Sequence, residues 1–191
     1  MFKTHPLAAI PANKRMSVFL PLLVLTLSLM VILNMSATPL TTGAAPLGIV
    51  SFELAGSVSR AQAILDSWNS AAQLHAAFGL GLDYLYMPLY ATTIGLACLW
   101  AADVLRRRRW PASQAGMPLA WGLWLAAVCD AGENLALITM MFGVVADPWP
   151  AVSFWFASIK FALIVLGLIY AVYGVGAALS RKLARASRRE S

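Results

Sequence analysis

Four long apolar stretches constrain this chain more than any other feature of its sequence. They run from about 17 to 33, 76 to 102, 116 to 143 and 151 to 179. A helix that crosses a hydrocarbon layer about 30 Å thick needs about 17–25 mostly apolar residues, and every stretch reaches that range. The sequence therefore predicts an all-α integral membrane protein, with four transmembrane helices in a bundle that forms a single domain over residues 1–191.

Composition and charge placement agree with this class and exclude a nucleic-acid-binding one. Of the 191 residues, 60% are hydrophobic and 12% are charged, and the mean hydropathy is +0.74. A soluble domain carries roughly 25% charged residues. The net charge of +6 is not spread over a surface but is concentrated beside the apolar stretches. The basic residues in question are Lys3, Lys14, Arg15, Arg106–Arg109, Arg181, Lys182, Arg185, Arg188 and Arg189. We expect no nucleic-acid partner.

The same placement predicts an orientation. Basic residues are enriched in the cytoplasmic segments that flank membrane helices. Both termini and the Arg106–Arg109 turn are therefore predicted to be cytoplasmic (N-in/C-in), with residues 34–74 and 144–150 outside, and we expect a bacterial plasma (inner) membrane. The first stretch has 17 residues, which exceeds the roughly 7–15 of a signal-peptide core, and favours an uncleaved anchor.

The outer segment 34–74 is too long for a turn and is predicted to form a lid. Ser59 and Gln62 have the spacing of a capping box, which marks a helix start. Apolar residues then recur at helical spacing, which predicts a short amphipathic helix. They are Ile64, Leu65, Trp68 and Ala72. This helix lies either on the membrane interface or against the bundle.

Four charged residues interrupt the apolar stretches. Asp83 lies in the second stretch, Asp130 and Glu133 in the third and Lys160 in the fourth. Each buried charge costs at least about 2.5–3.5 kcal/mol even on a translocon scale. At 1.5 Å per residue, the depths below the outer ends are about 12, 20, 15 and 13 Å respectively. Charges from three helices are thus predicted to meet in the outer half of the membrane.

Helical spacing predicts which residues face this cluster. Asp130, Glu133 and Asn134 share one face of the third helix, and Asp83, Tyr86 and Tyr90 share one face of the second. The predicted ligand-binding set is Asp83, Tyr86, Tyr90, Asp130, Glu133, Asn134 and Lys160. Lys160 compensates one of the carboxylates, and by depth we expect its partner to be Glu133 or Asp83.

An intramembrane ionisable cluster favours a functional site. The leading hypothesis is an outward-facing site that binds or transfers a small or lipid-derived ligand, a cation or a proton. One alternative is a membrane hydrolase or transferase in which Asp130 or Glu133 is the general acid or base. The other is an accessory subunit whose charge cluster only fixes helix packing. The sequence leaves open whether the protein is an enzyme and which cofactor, if any, it holds.

Metal binding has little support in the sequence. The pair Asp130 and Glu133 matches only half of the di-iron carboxylate pattern, which also needs a Glu-x-x-His pair on each of two helices. Glu53 and His75 are weak additional candidates, and they are more simply a solvated surface carboxylate and an interfacial residue. No metal is therefore predicted.

Membrane lipids are the expected partners at the cytoplasmic side. Arg106–Arg109 and the basic tail, 180–191, are predicted to contact anionic headgroups, each basic residue contributing about 1 kcal/mol near the surface. An oligomer is compatible with the sequence.

Overall fold

The computed structural model describes residues 5–187, and for 181–187 it describes only the helical backbone. The predicted headgroup contacts of the side chains in the basic tail lie outside the described residues. Within the described range every regular element is helical. The helices are α1 (Arg15–Ala37), α2 (Ile49–Glu53), α3 (Val58–Ser67), α4 (Ser70–Arg108), α5 (Gly116–Met141) and α6 (Trp149–Ser187).

The prediction of four membrane-length helices is confirmed. The helices α1, α4, α5 and α6 are long and apolar enough to cross a membrane. They extend beyond the predicted apolar stretches at most ends, because backbone hydrogen bonding continues into polar sequence until a capping residue ends it. The helix α4 shows this at both ends. The Asn69 side chain accepts a hydrogen bond from the backbone N–H of Ala72, and Arg109, the last residue of the arginine run, adopts a left-handed conformation (φ 55°) directly after the helix.

The helix α4 packs against each of the other three long helices, and α5 packs along α6. Small residues allow these close approaches. A Cβ atom at Gly174 of α6 would overlap both the side chain and the backbone of Ala101 in α4. By contrast, α1 buries only Thr26 and Leu29, and the Thr26 hydroxyl is hydrogen-bonded to the Thr93 hydroxyl of α4 at 2.9 Å.

The segment between α1 and α4 is folded onto one end of the long helices. Phe52, Ile64 and Trp68 are buried in one cluster with residues of α4 and α5, and the Trp68 indole N–H donates to the Leu40 carbonyl at 2.8 Å. This arrangement favours a lid packed on protein over a helix that contacts lipid alone. The start predicted for the amphipathic helix, at Ser59, was wrong. The N-cap of α3 is Ser57, whose hydroxyl accepts a hydrogen bond from the Arg60 backbone N–H.

Candidate functional site

Lys160 stands at the centre of the charged cluster. Its position in α6 faces α5, and the residue is only 5% exposed. The ammonium nitrogen Nζ lies 2.8 Å from Glu133 Oε2, 3.0 Å from Asp130 Oδ1 and 3.6 Å from Glu53 Oε2. One cation thus joins three carboxyl groups that come from two separate elements, α2 and α5.

The predicted partner of Lys160 was right for Glu133 and wrong for Asp83. Among the described residues, Asp83 forms no ion pair with Lys160, and its Oδ2 instead accepts a hydrogen bond of 2.9 Å from Asn134 Nδ2. Asp130, which we expected to lie too deep, contacts Lys160 directly and also accepts a 3.0 Å hydrogen bond from the Tyr90 hydroxyl. The flexible four-carbon stem of lysine allows its ammonium to lie away from the level of its own backbone.

Glu53 was wrongly predicted to be a solvated surface carboxylate. It is 8% exposed, and its backbone carbonyl accepts a 2.9 Å hydrogen bond from the Ser153 hydroxyl of α6, which holds the end of α2 against that helix. Burial raises the pKa of Glu53 above its ordinary value, although the Lys160 ammonium acts in the opposite direction. The outer segment therefore contributes a fourth carboxyl group to the site.

A cavity of about 370 Å³ opens beside this cluster. Its polar end contains six of the seven predicted ligand-binding residues, all except Glu133, together with Glu53. The polar and aromatic lining residues are Glu53, Asp83, Tyr86, Tyr90, Asp130, Asn134 and Lys160. Glu133 does not line the cavity and is fully buried behind it. The other walls are apolar and include Met30 and Leu33 of α1, Leu80 of α4 and Ile164 of α6.

The rim of the cavity lies between α1 and α4. His75 and Asn34 are exposed there, and His75 Nδ1 lies 3.4 Å from the Ser36 hydroxyl oxygen. In the described part of the chain, no group of three or more His, Cys, Asp or Glu side chains is arranged to hold a metal ion. His75 therefore lies at the rim of the cavity, and it is not arranged with the carboxyls of the cluster to bind a metal ion.

The charge balance determines what the site can accommodate. Glu53, Asp83, Asp130 and Glu133 carry four carboxyl groups, whereas Lys160 is the only lysine or arginine among the described residues of the cluster. Uncompensated charges are costly at such burial, so protons or a bound cation must offset the excess.

The end of the protein opposite the lid is held by a different set of charges. Arg15 of α1 pairs with Asp103 of α4, and Arg108 donates hydrogen bonds to the Ser180 hydroxyl (2.7 Å) and the Ala178 carbonyl (3.0 Å) of α6. Arg108 thus has a role in the fold itself. The predicted contact of Arg106–Arg109 with anionic headgroups stays a prediction.

The fold and site define an all-helical protein with four helices of membrane-spanning length and a charged cluster beside a cavity. Comparisons with protein-family models, with curated proteins and with solved structures find no match for this chain.

Proposed function

We propose that this chain is an integral protein of the bacterial inner membrane whose cavity binds or transfers a small or lipid-derived ligand, a cation or a proton. Its four long helices form a transmembrane bundle in one domain, with both termini in the cytoplasm and the lid outside. The observation that carries this proposal is the cavity of about 370 Å³ with carboxyl groups and a lysine at one end.

The cavity volume and its two-part lining support a binding role. Sites for small ligands occupy about 300–1,000 Å³ and combine apolar walls with a few polar groups that fix orientation. Here the apolar walls come from α1, α4 and α6, and the polar groups come from α2, α4, α5 and α6. A cluster that served only to fix helix register would not need an adjoining cavity.

A second candidate function is acid–base catalysis on a lipid-like substrate. It is favoured by the carboxyls of Glu53 and Glu133, which both contact the Lys160 ammonium, at 3.6 and 2.8 Å, because neighbouring carboxyls can share a proton. Of the two predicted catalytic candidates, Asp130 lines the cavity and Glu133 does not. Asp130 is therefore the better candidate for the general acid or base.

Native mass spectrometry of the detergent-purified protein tests the binding proposal. We expect a bound small molecule or lipid in the wild type and its loss in Gly79→Phe, because Gly79 lines the cavity and has no atom within 4 Å of an added Cβ. Gly81→Phe is the matched control, since Gly81 has the same free space but does not line the cavity. A bound molecule retained in Gly79→Phe, or none in the wild type, would contradict a binding role for this cavity.

The orientation has its own test. Single cysteines at Ser57 and Pro148, in a background without Cys98 and Cys129, should react with a membrane-impermeant thiol reagent in intact cells. A cysteine at Ser113 should stay unlabelled until the cells are opened. The reverse pattern would place the lid in the cytoplasm.

A further inference from the structure

The cationic side chain at the polar end of the cavity is already fully engaged. The Lys160 ammonium has three carboxylates within 3.6 Å and lies 4.7 Å from the centre of the Phe161 ring. An ammonium has three N–H donors, so these contacts leave none for a ligand. Lys160 is also the only lysine or arginine in the cavity lining that the structure describes. An anionic headgroup at this end would meet several carboxylates and no available cation.

Asp83 is the carboxylate best placed to contact a ligand. It is half-buried and lines the cavity, and its Oδ2 accepts the Asn134 hydrogen bond. Among the described residues, no donor contacts its second oxygen, Oδ1. Glu53 adds an independent indication. It is buried against the same cavity, and its Oε2 has no hydrogen-bond donor within the described part of the chain, only the ion pair of 3.6 Å.

Two aromatic rings lie one turn and two turns along α4 from Asp83. The ring centres of Tyr86 and Tyr90 are 5.3 Å apart with their planes tilted by 53°, and both rings line the cavity. The Tyr90 hydroxyl donates to Asp130 and its ring is buried, so the half-buried Tyr86 offers the accessible ring to a ligand. Aromatic faces beside carboxylates attract ammonium groups through cation–π and ionic interactions.

We infer that the ligand is an amphiphile with an ammonium headgroup, which lies against Asp83 and Tyr86 while its chain packs on Met30, Leu33 and Ile164. This inference rests on the proposed binding function and specifies the class of ligand. The rim between α1 and α4 provides the entry, because exposed residues border the cavity there. Lipids with an amino headgroup and free alkylamines share this chemistry.

Three amphiphiles with the same twelve-carbon chain separate charge from hydrophobicity. Dodecylamine, dodecanol and dodecanoate are titrated at pH 7 into the full-length protein in a neutral detergent, and binding is followed by native mass spectrometry. We expect dodecylamine to bind at least about tenfold more tightly than dodecanol, with dodecanoate weakest, and all binding to be lost in Gly79→Phe. Competition between phosphatidylethanolamine and dodecylamine then distinguishes a lipid from a free amine as the preferred source of the headgroup, with phosphatidylglycerol of identical chains as the control that lacks the ammonium.

Two variants, each with a matched control, assign the headgroup contact. Asp83→Asn, which can still accept the Asn134 hydrogen bond, should abolish most of the preference for dodecylamine. Asp66→Asn is the control, because it removes the same charge from an exposed position on α3. Tyr86→Leu should weaken dodecylamine binding, whereas Tyr86→Phe, which keeps the ring, should not.

The outcomes separate the two proposals. Equal binding of all three amphiphiles with loss in Gly79→Phe would overturn the inferred ligand class and leave the binding site standing. A preference for dodecylamine that survives Asp83→Asn in folded protein would overturn the assigned contact. No binding of any amphiphile, with no molecule retained by the wild type, would contradict the proposed function itself.

Discussion

Replacing Lys160 by methionine tests how the charged cluster contributes to stability. The change keeps the bulk of the side chain but removes the cation that lies 2.8 Å from Glu133, 3.0 Å from Asp130 and 3.6 Å from Glu53. Removing one partner of a buried ion pair costs about 3–5 kcal/mol, because the remaining charge stays buried without compensation. We expect a loss of that size, measured as the decrease in unfolding free energy in detergent. Lys14→Met, at an exposed position, is the control.

Double-mutant cycles then apportion this loss among the carboxyls. Coulomb energy falls as the inverse of distance, so the Glu53 contact at 3.6 Å contributes roughly four-fifths of the Glu133 contact at 2.8 Å. Coupling energies with Lys160→Met should therefore be about 2–3 kcal/mol for Glu133→Gln and Asp130→Asn and smaller for Glu53→Gln. Asp83→Asn, which lacks the ion pair, should show the smallest coupling energy of the four. Additivity in all four cycles would refute the arrangement described above.

Three further predictions concern packing, pH and capping, and thermal unfolding in detergent checks each of them. Gly174→Ala should destabilise the folded protein by about 1–3 kcal/mol through overpacking against α4. Gly176→Ala is the control and should be neutral, because an added Cβ there meets no atom within 4 Å. Equal effects of the two substitutions would contradict the close contact between α4 and α6. Because the folded-state pKa of Glu53 is raised, its contribution to stability is greatest below the unfolded value of 4.5 and declines as pH rises through the folded value. The Glu53→Gln variant should therefore lose less stability than the wild type between pH 4.5 and 8. If stability fell with pH equally in the two proteins, titration of Glu53 would be excluded as the cause. Ser57→Ala should lower the unfolding free energy by about 1 kcal/mol, and Ser59→Ala should lower it much less, because Ser57 is the residue that caps α3. The opposite order would support the predicted capping box at Ser59.

The four long helices were predictable because their signal is local. Each needs only enough consecutive apolar residues, and the sequence shows this without knowledge of the fold. Helix ends were less accurate, because the run of arginines at the end of α4 looks like a loop by hydropathy. Arginine has a high helix propensity, and it favours the last turn of a helix, where its charge complements the helix dipole.

The charged cluster was predictable in part for a related reason. Asp130, Glu133 and Lys160 interrupt apolar stretches, and such interruptions are visible in the sequence. Glu53 was missed because it lies outside those stretches, and its burial depends on how the outer segment folds over the long helices. One signal was available: Glu53 sits in the short apolar run from Ile49 to Ala55, which suits a packed element better than a solvated loop.

The ion-pair partners of Lys160 could not be predicted from the depth of each residue along its helix alone. Counting residues along a helix locates its backbone, but the lysine ammonium lies at the end of a long flexible stem. Asp130 and Glu133 are three residues apart, so both carboxyls share the face that meets α6. Side-chain reach and helix face, rather than equal depth, select the contacts.

The distribution of this cluster along the chain affects how the protein is made. Asp130 and Glu133 are both on α5, whereas their counter-charge arrives only with α6. A nascent chain that released α5 into lipid by itself would expose two carboxyls to hydrocarbon with no cation nearby. The connection between α5 and α6 is only residues 142–148. We therefore expect the two helices to leave the translocon together as a hairpin, with synthesis of α6 setting the moment at which α5 can enter the bilayer.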